Sequence, residues 1–330
     1  MGIYKISGKL TTQIDSVSDI QTTQIDDIIV EGRSWPQPVA AAEEDTGIAF
    51  GGGRGLFAGG NYTSNAIEYV TIASPGNSTN FGDHYSWPGN GDRKASGHGG
   101  CSNGTRGLFG GGETSSGQIC AIDYVTIATT GNASDFGDLT YPKKLVGACS
   151  NGTRGVFAGG FFGGNAIDHV TIATTGNASD FGDLLWSSYV SGVCSDGTKG
   201  LFTKNWSTNQ ISYVTIATTG NASDFGDLIY YAGNMSACSD GTKAVWAGGA
   251  YGSNIIQYLT VATQTTTSDF GDLTQTRWNL AACSDGTKGL FAGSDNTIDY
   301  VTIATTANAA TFGSLTVHSS FAQGSSCSGD

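Results

Sequence analysis

Basic residues are scarce in this sequence. Lys and Arg number 15 against 28 Asp and Glu, a formal charge of −13. That balance argues against nucleic acid or an anionic membrane as a partner. No apolar run reaches the ~18 residues of a membrane-spanning helix, so no membrane insertion is expected. The opening MGIYKIS lacks the hydrophobic stretch of a secretion signal, and Ile6 stands where myristoylation needs Ser or Thr. A product made in a cytoplasm is the expectation. Charged residues are only 13% of the chain, and no window keeps a helical period over a core-facing length. The chain reads as all-β.

What is present is repetition. YVTIATTGNASDFGDL occupies 124–139 and 213–228, and with His169 in place of the tyrosine it also occupies 169–184. The FGD phenylalanine or its relic recurs at Phe81, Phe136, Phe181, Phe225, Phe270 and Phe312, in steps of 55, 45, 44, 45 and 42 residues. A Cys-Ser-Asn/Asp-Gly-Thr stretch recurs from Cys101, Cys149, Cys194, Cys238 and Cys283, in steps of 48, 45, 44 and 45. Such a period is the size of one four-stranded propeller blade. Within a copy, GACS (147–150) and RGVFAGG (154–160) flank an Asn-Gly turn. AIDHVTIAT (166–174) then alternates Asp168, expected outward, with Ile167, Val170 and Ile172, and FGDLL is the fourth strand.

The ends complement each other. Cys327 lies 44 residues after Cys283 and begins a copy that stops at once, whereas GGRGLFAGG (52–60) is a second strand with no first. The segment near 316–330 is therefore expected to pair with 46–60, closing a six-bladed ring and hiding both open edges. The propeller takes residues 51–330. Residues 1–50 differ in composition and duplicate TTQIDSVSDIQ as TTQIDDIIVEG. They read as an extended anchoring arm that orders on another chain, followed by a linker.

The layout resembles the kelch repeat. Gly159-Gly160 and Gly248-Gly249 close second strands, Tyr124, Tyr213 and Tyr258 sit on third strands, and the FGD phenylalanines begin the fourth. Phe stands where kelch repeats usually carry Trp. The literal sixteen-residue phrase is similar to repeats of virion structural proteins of marine bacteriophages, cyanophages especially, often labelled tail-fibre-like. That resemblance implies location in a virion, contacts with other tail or capsid proteins, and a homo-oligomer in the particle.

Several motifs invite a chemical reading that the sequence does not sustain. Kelch-like oxidases need Tyr and His copper ligands, but His84, His98, His169 and His318 fall at unrelated repeat positions. Six of seven cysteines occupy one repeat position, with no accompanying zinc-ligand spacing. They read as small buried residues near the axis, while Cys120 falls in an irregular loop. SDGTKG resembles the Asp-box turn of sialidases, which does not itself catalyse. The SDFGD carboxylates read as turn caps rather than calcium ligands. The Asn-x-Ser/Thr sequons read as by-products of turn chemistry. No cofactor and no catalytic residue is expected.

The two ends of the ring should differ. One carries the uniform NGTR, DGTK and TTGNASD turns. A recurring basic residue there (Arg54, Arg106, Arg154, Lys199, Lys243, Lys288) reads as solvated or ion-paired. The other end carries second-to-third loops and blade connections of varied length. Trp87, Phe162, Trp186, Tyr189, Trp206, Tyr231, Tyr251 and Trp278 fall there among Asn, Ser and Gly. Rigid aromatics beside adaptable polar groups suit recognition of a surface glycan or protein. The expectation is a non-enzymatic virion protein, tail fibre or capsid decoration. A propeller enzyme acting on host polysaccharide is the competing class, to be told apart by converging acids or histidines.

Overall fold

The structure, a computed structural model, describes residues 53–59, 64–85, 96–161, 163–187, 189–205, 208–230, 233–250, 253–263, 265–317 and 325–329, with four short strands nearer the N-terminus. The chain divides into two compact units, Met1–Thr46 and Gly47–Asp330. In the first, Tyr4–Ile6 pairs with Lys9–Thr11 and Ile29–Val30 with Arg33–Ser34. The anchoring-arm reading of residues 1–50 otherwise lies outside the described residues.

The second unit is a six-bladed β-propeller of four-stranded antiparallel sheets. Blade 3 is representative: Gly147–Ser150, Arg154–Ala158, Ala166–Thr171 and Ser179–Asp183, from first strand to fourth. Blade 2 starts at Gly99–Ser102, blade 4 at Val190–Ser195, blade 5 at Ser236–Ser239 and blade 6 at Ala281–Ser284. Blade 1 is composite, ordered Ser325–Gly329, Arg54–Ala58, Ala66–Thr71, Thr79–Asp83. Its first two strands pair Ser325 with Ala58, Cys327 with Leu56 and Gly329 with Arg54. The six first strands touch one another in cyclic order, so they line the axis and the ring is closed as expected.

Local chemistry sets the turns. Asn151 Oδ1 accepts from the backbone N–H of Thr153 (3.1 Å) and Arg154 (2.8 Å), while Gly152 takes φ 82°. That left-handed conformation favours glycine. Asp196 plays the Asn151 part in blade 4, 2.8 Å from Thr198 N. The fourth strand begins two residues before FGD, at Ser179, and ends at Asp183, leaving Leu184 in the core.

Two expectations need correction. Asp168 does not face outward; it is 0% exposed. Both faces of a blade are covered by neighbours, so strand alternation sorts side chains between two interfaces rather than between core and water. Val170 and Ile172 pack toward blade 2 with Phe136, and Ile167 toward blade 4 with Val214. Asp168 shares the blade 2 side, where Thr140 and Lys143 meet it.

The basic ring is half-buried, and where its contacts are described they are aromatic rings and backbone carbonyls rather than ion pairs. Arg106 stacks over Tyr124 (4.3 Å to the centroid) and donates to Ile172 O of blade 3 at 3.0 Å. Arg54 repeats this with Tyr69 and Ile127 O, and Lys288 with Tyr300 and Ile72 O. Each clamps its own blade to the next. Beneath it, the third-strand aromatic meets the FGD phenylalanine edge-on, as in Tyr213–Phe225 at 5.5 Å. Burying each phenylalanine contributes roughly 2–3 kcal/mol.

The sixteen-residue phrase is an inter-blade fastener. Gly220 N donates to Phe181 O (2.8 Å) and Ala222 N to Asp183 O (2.7 Å). Asn221 Oδ1 accepts from Asp183 N at 3.0 Å. The GNA turn of one blade thus docks on the FGD strand of the blade before it. Asn132, Asn177 and Asn308 do the same at their interfaces. Phe, Gly and Asp recur because each copy must receive its successor.

The six repeat cysteines are buried and unpaired. Five of them sit against a glycine on the second strand of the next blade. A Cβ on Gly155 would stand 2.9 Å from Cys101 Sγ, and one on Gly289 would stand 2.5 Å from Cys238 Sγ. Ala244 fills the place facing Cys194. Burial pushes the Cys101 thiol up to about 12 and raises the other five as well. Thiols in such surroundings are unreactive.

Candidate binding face

The antiparallel order puts all second-to-third loops and blade connections at one end of the ring. Arg54 begins its strand at the opposite end, the turn side. The axis offers little room. The cavity lined by Cys149, Ser150 and their counterparts holds about 120 Å³. Its neighbour, where Gly100, Ala148, Val193 and Ala237 narrow the bore, holds about 90 Å³. Pockets for small organic ligands start near 300 Å³. The axis accommodates a few waters, not a sugar.

Three of the eight aromatics singled out from sequence are described. Trp186 is 9% exposed, so little of its ring meets solvent. Tyr189 is half-buried and stacks against Phe161, with centroids 5.2 Å apart and planes tilted 36°. Trp278 is 37% exposed. No ring contact joins these three. Trp87, Phe162, Trp206, Tyr231 and Tyr251 lie outside the described residues.

The structure adds residues that sequence reasoning passed over. Tyr141 is 62% and Tyr230 52% exposed, and Leu185, Ile229 and Val317 are exposed as well. All five fall one or two places after the leucine that follows FGD or FGS. There the backbone is pinned to the next blade, as where Tyr230 N donates to Gln257 Oε1 at 3.3 Å. A pinned backbone turns those side chains outward, and the signal was their shared offset from the motif.

Across blades 2 to 4 a line of contacts organises part of this face. Gln118 donates to Glu113 Oε1 at 2.7 Å, and Lys144 pairs with Glu113 Oε2 at 2.7 Å. Lys144 also lies over the Phe161 ring at 5.3 Å, and Phe161 meets Tyr189. The short hairpin of Glu113–Thr114 and Gly117–Gln118 projects beside them.

The histidines have structural surroundings. His84 and His98 meet edge-on at 4.9 Å, both against Phe109, and His84 Nδ1 pairs with Asp123 at 3.0 Å. All three polar residues are buried. His169 replaces a third-strand tyrosine against Phe181, and burial, then Arg154, lowers its pKa. Burial, reinforced by Asp138 and Asp123, raises that of Asp135. Cys120 is half-buried and donates to Asp138 Oδ1 at 3.3 Å. Among the described residues no group of three His, Cys, Asp or Glu has metal-binding geometry. No protein-family model matches this chain, and no curated protein does.

Proposed function

We propose that this chain is a non-enzymatic structural protein of a bacteriophage particle. Residues 1–45 dock on the tail or capsid, and the propeller displays its loop face outward for attachment to a host glycan or protein. One observation carries the display reading: the repeated residues are consumed by blade-to-blade contacts, while exposed aromatics and aliphatics fall in the blade connections, on the end opposite the uniform turns. Variable side chains on a rigid closed scaffold suit recognition. The similarity of the sixteen-residue phrase to phage virion repeats supports the location.

Tyr141, Tyr230 and Trp278 make the test, being exposed and outside the core. The triple alanine variant should melt within about 2 °C of the parent, since surface changes cost little. Particles carrying it should adsorb to host cells at least tenfold more slowly. Normal adsorption by particles with the folded variant would move the protein from attachment to capsid decoration.

A further inference from the structure

The residue that follows the buried isoleucine of the third strand (Ile67 and its counterparts) differs in kind from blade to blade, yet it is buried in all six. It is Glu68, Asp123, Asp168, Ser212, Gln257 and Asp299 in blades 1 to 6. Five of these side chains receive the connection arriving from the preceding blade. Asp168 accepts from Thr140 N at 3.2 Å and ion-pairs with Lys143 across 2.9 Å. Asp299 accepts from Thr274 N at 3.0 Å and pairs with Arg277. Asp123 holds His84 and Tyr85 N. Gln257 is neutral and makes a two-way bond, accepting from Tyr230 N at 3.3 Å and donating to Tyr230 O at 2.6 Å. Glu68 gathers Thr316 N, Val317 N and Ser78 Oγ. Ser212 has no hydrogen-bond partner for its hydroxyl among the described residues.

The partners are matched in sequence. Lys143 and Arg277 each stand four places after the leucine closing FGDL, at Leu139 and Leu273. The same place after Leu184 and Leu228 holds Ser188 and Ala232. Those connections enter blades 4 and 5, whose receiving residues are the neutral Ser212 and Gln257. At these four interfaces a connection that brings a cation at that place meets an aspartate, and one that brings none meets a neutral side chain. Asp123 and Glu68 are met differently, by His84 and by the backbone and hydroxyl of Thr316.

Other blade-to-blade contacts discriminate less. The turn-on-FGD fastener and the packing of each cysteine on the next second strand recur round the ring, with Thr265–Thr267 and Ala244 standing in between blades 4 and 5, so by themselves they accept several blades as neighbour. We propose that these buried pairs fix which blade sits beside which, excluding wrong neighbours within the chain and blades of a second copy of it. Setting the Lys143 connection beside Gln257 buries an ammonium without its anion. Setting Asp299 beside the 228–232 connection buries a bare carboxylate. Breaking a buried pair is far costlier than replacing both members by neutral groups, and that asymmetry gives such pairs their selectivity. Near-identical repeats need it, because exchange between chains is a characteristic failure of repeat proteins.

The test gives the interface between blades 2 and 3 the neutral pairing of blades 4 and 5. Lys143→Ala and Asp168→Gln are made singly and together, unfolded in denaturant, and refolded over a range of chain concentrations. Each single variant should lose stability visibly, by a lower urea midpoint or failure to refold. The double variant should regain most of the parental midpoint. It should nevertheless give several-fold more dimer and higher species than the parent at high chain concentration, because two interfaces now share one pairing. Singles as stable as the parent would overturn the proposal. So would a double variant that refolds to monomer as cleanly as the parent at every concentration.

Discussion

Raising the pH through the thiol range should unfold this protein over a narrow interval. The six repeat cysteines are buried, and burial raises every one of their pKa values, that of Cys101 to about 12. Below the ordinary thiol pKa, ~8.5, folded and unfolded chains hold the same protons on these groups and stability does not depend on them. Above it the unfolded chain sheds protons that the folded chain keeps, so stability falls as pH rises. Each thiol contributes a slope of about 1.4 kcal/mol per pH unit, and six give roughly 8. Whole-domain stabilities are about 5–15 kcal/mol, so one to two pH units suffice. Lys143 acts in the opposite sense: burial lowers its pKa, so the unfolded chain binds the extra proton and stability rises with pH through that window. It is one group against six. The urea midpoint should therefore drop steeply between about pH 8 and pH 10.5. A variant with all six replaced by alanine should start lower and change much less. An equal pH slope in the two proteins would show that the thiols are not buried as described.

The second large effect is expected from a single methyl group. Gly182, the glycine of FGD in blade 3, has φ 144°, and a Cβ there would stand 2.5 Å from Gly220 O and 3.0 Å from Asn221 N of blade 4. Both obstacles are backbone and neither can swing aside. Gly182→Ala must either strain the strand or push away the turn whose Gly220, Asn221 and Ala222 fasten the two blades. A loss of about 3 kcal/mol or more is expected, from overpacking and backbone strain together. Gly220→Ala is the control at the same interface, because a Cβ there meets nothing within 4 Å. It should be neutral or slightly stabilising. Denaturant unfolding of the two variants side by side checks the contrast, and similar midpoints would mean that the fastener does not hold the blades.

Much of the architecture was legible because repetition writes it openly. The interval between phenylalanines counted the blades, and the split copy at the two ends foretold the pairing of Ser325–Gly329 with Arg54–Ala58. The common cysteine position marked the first strands. Single-copy reasoning failed where the partner of a side chain is another blade. Asp168 sits in a pattern of polar and apolar residues that on a half-exposed sheet would turn it to water. In a propeller both faces are interfaces, and only the neighbour's Lys143 reveals its place. The partners of the half-buried basic ring were missed for a related reason: they are backbone carbonyls of the next blade, which carry no sequence signature. On the loop face, bulk drew attention to Trp186, which is mostly buried, and away from Tyr141 and Tyr230, which are exposed because the backbone beneath them is anchored. Size alone does not say which way a loop residue points.

The division of labour between arm and loop face is tested most directly on particles. A short peptide tag placed between Ser115 and Ser116, exposed on the loop-face hairpin, should be bound by antibody on intact, purified bacteriophage particles. A chain lacking residues 1–45 should still melt cooperatively as a propeller yet be missing from those particles. The account is contradicted if the full chain is absent from purified particles, or if the shortened chain is incorporated as well as the full one.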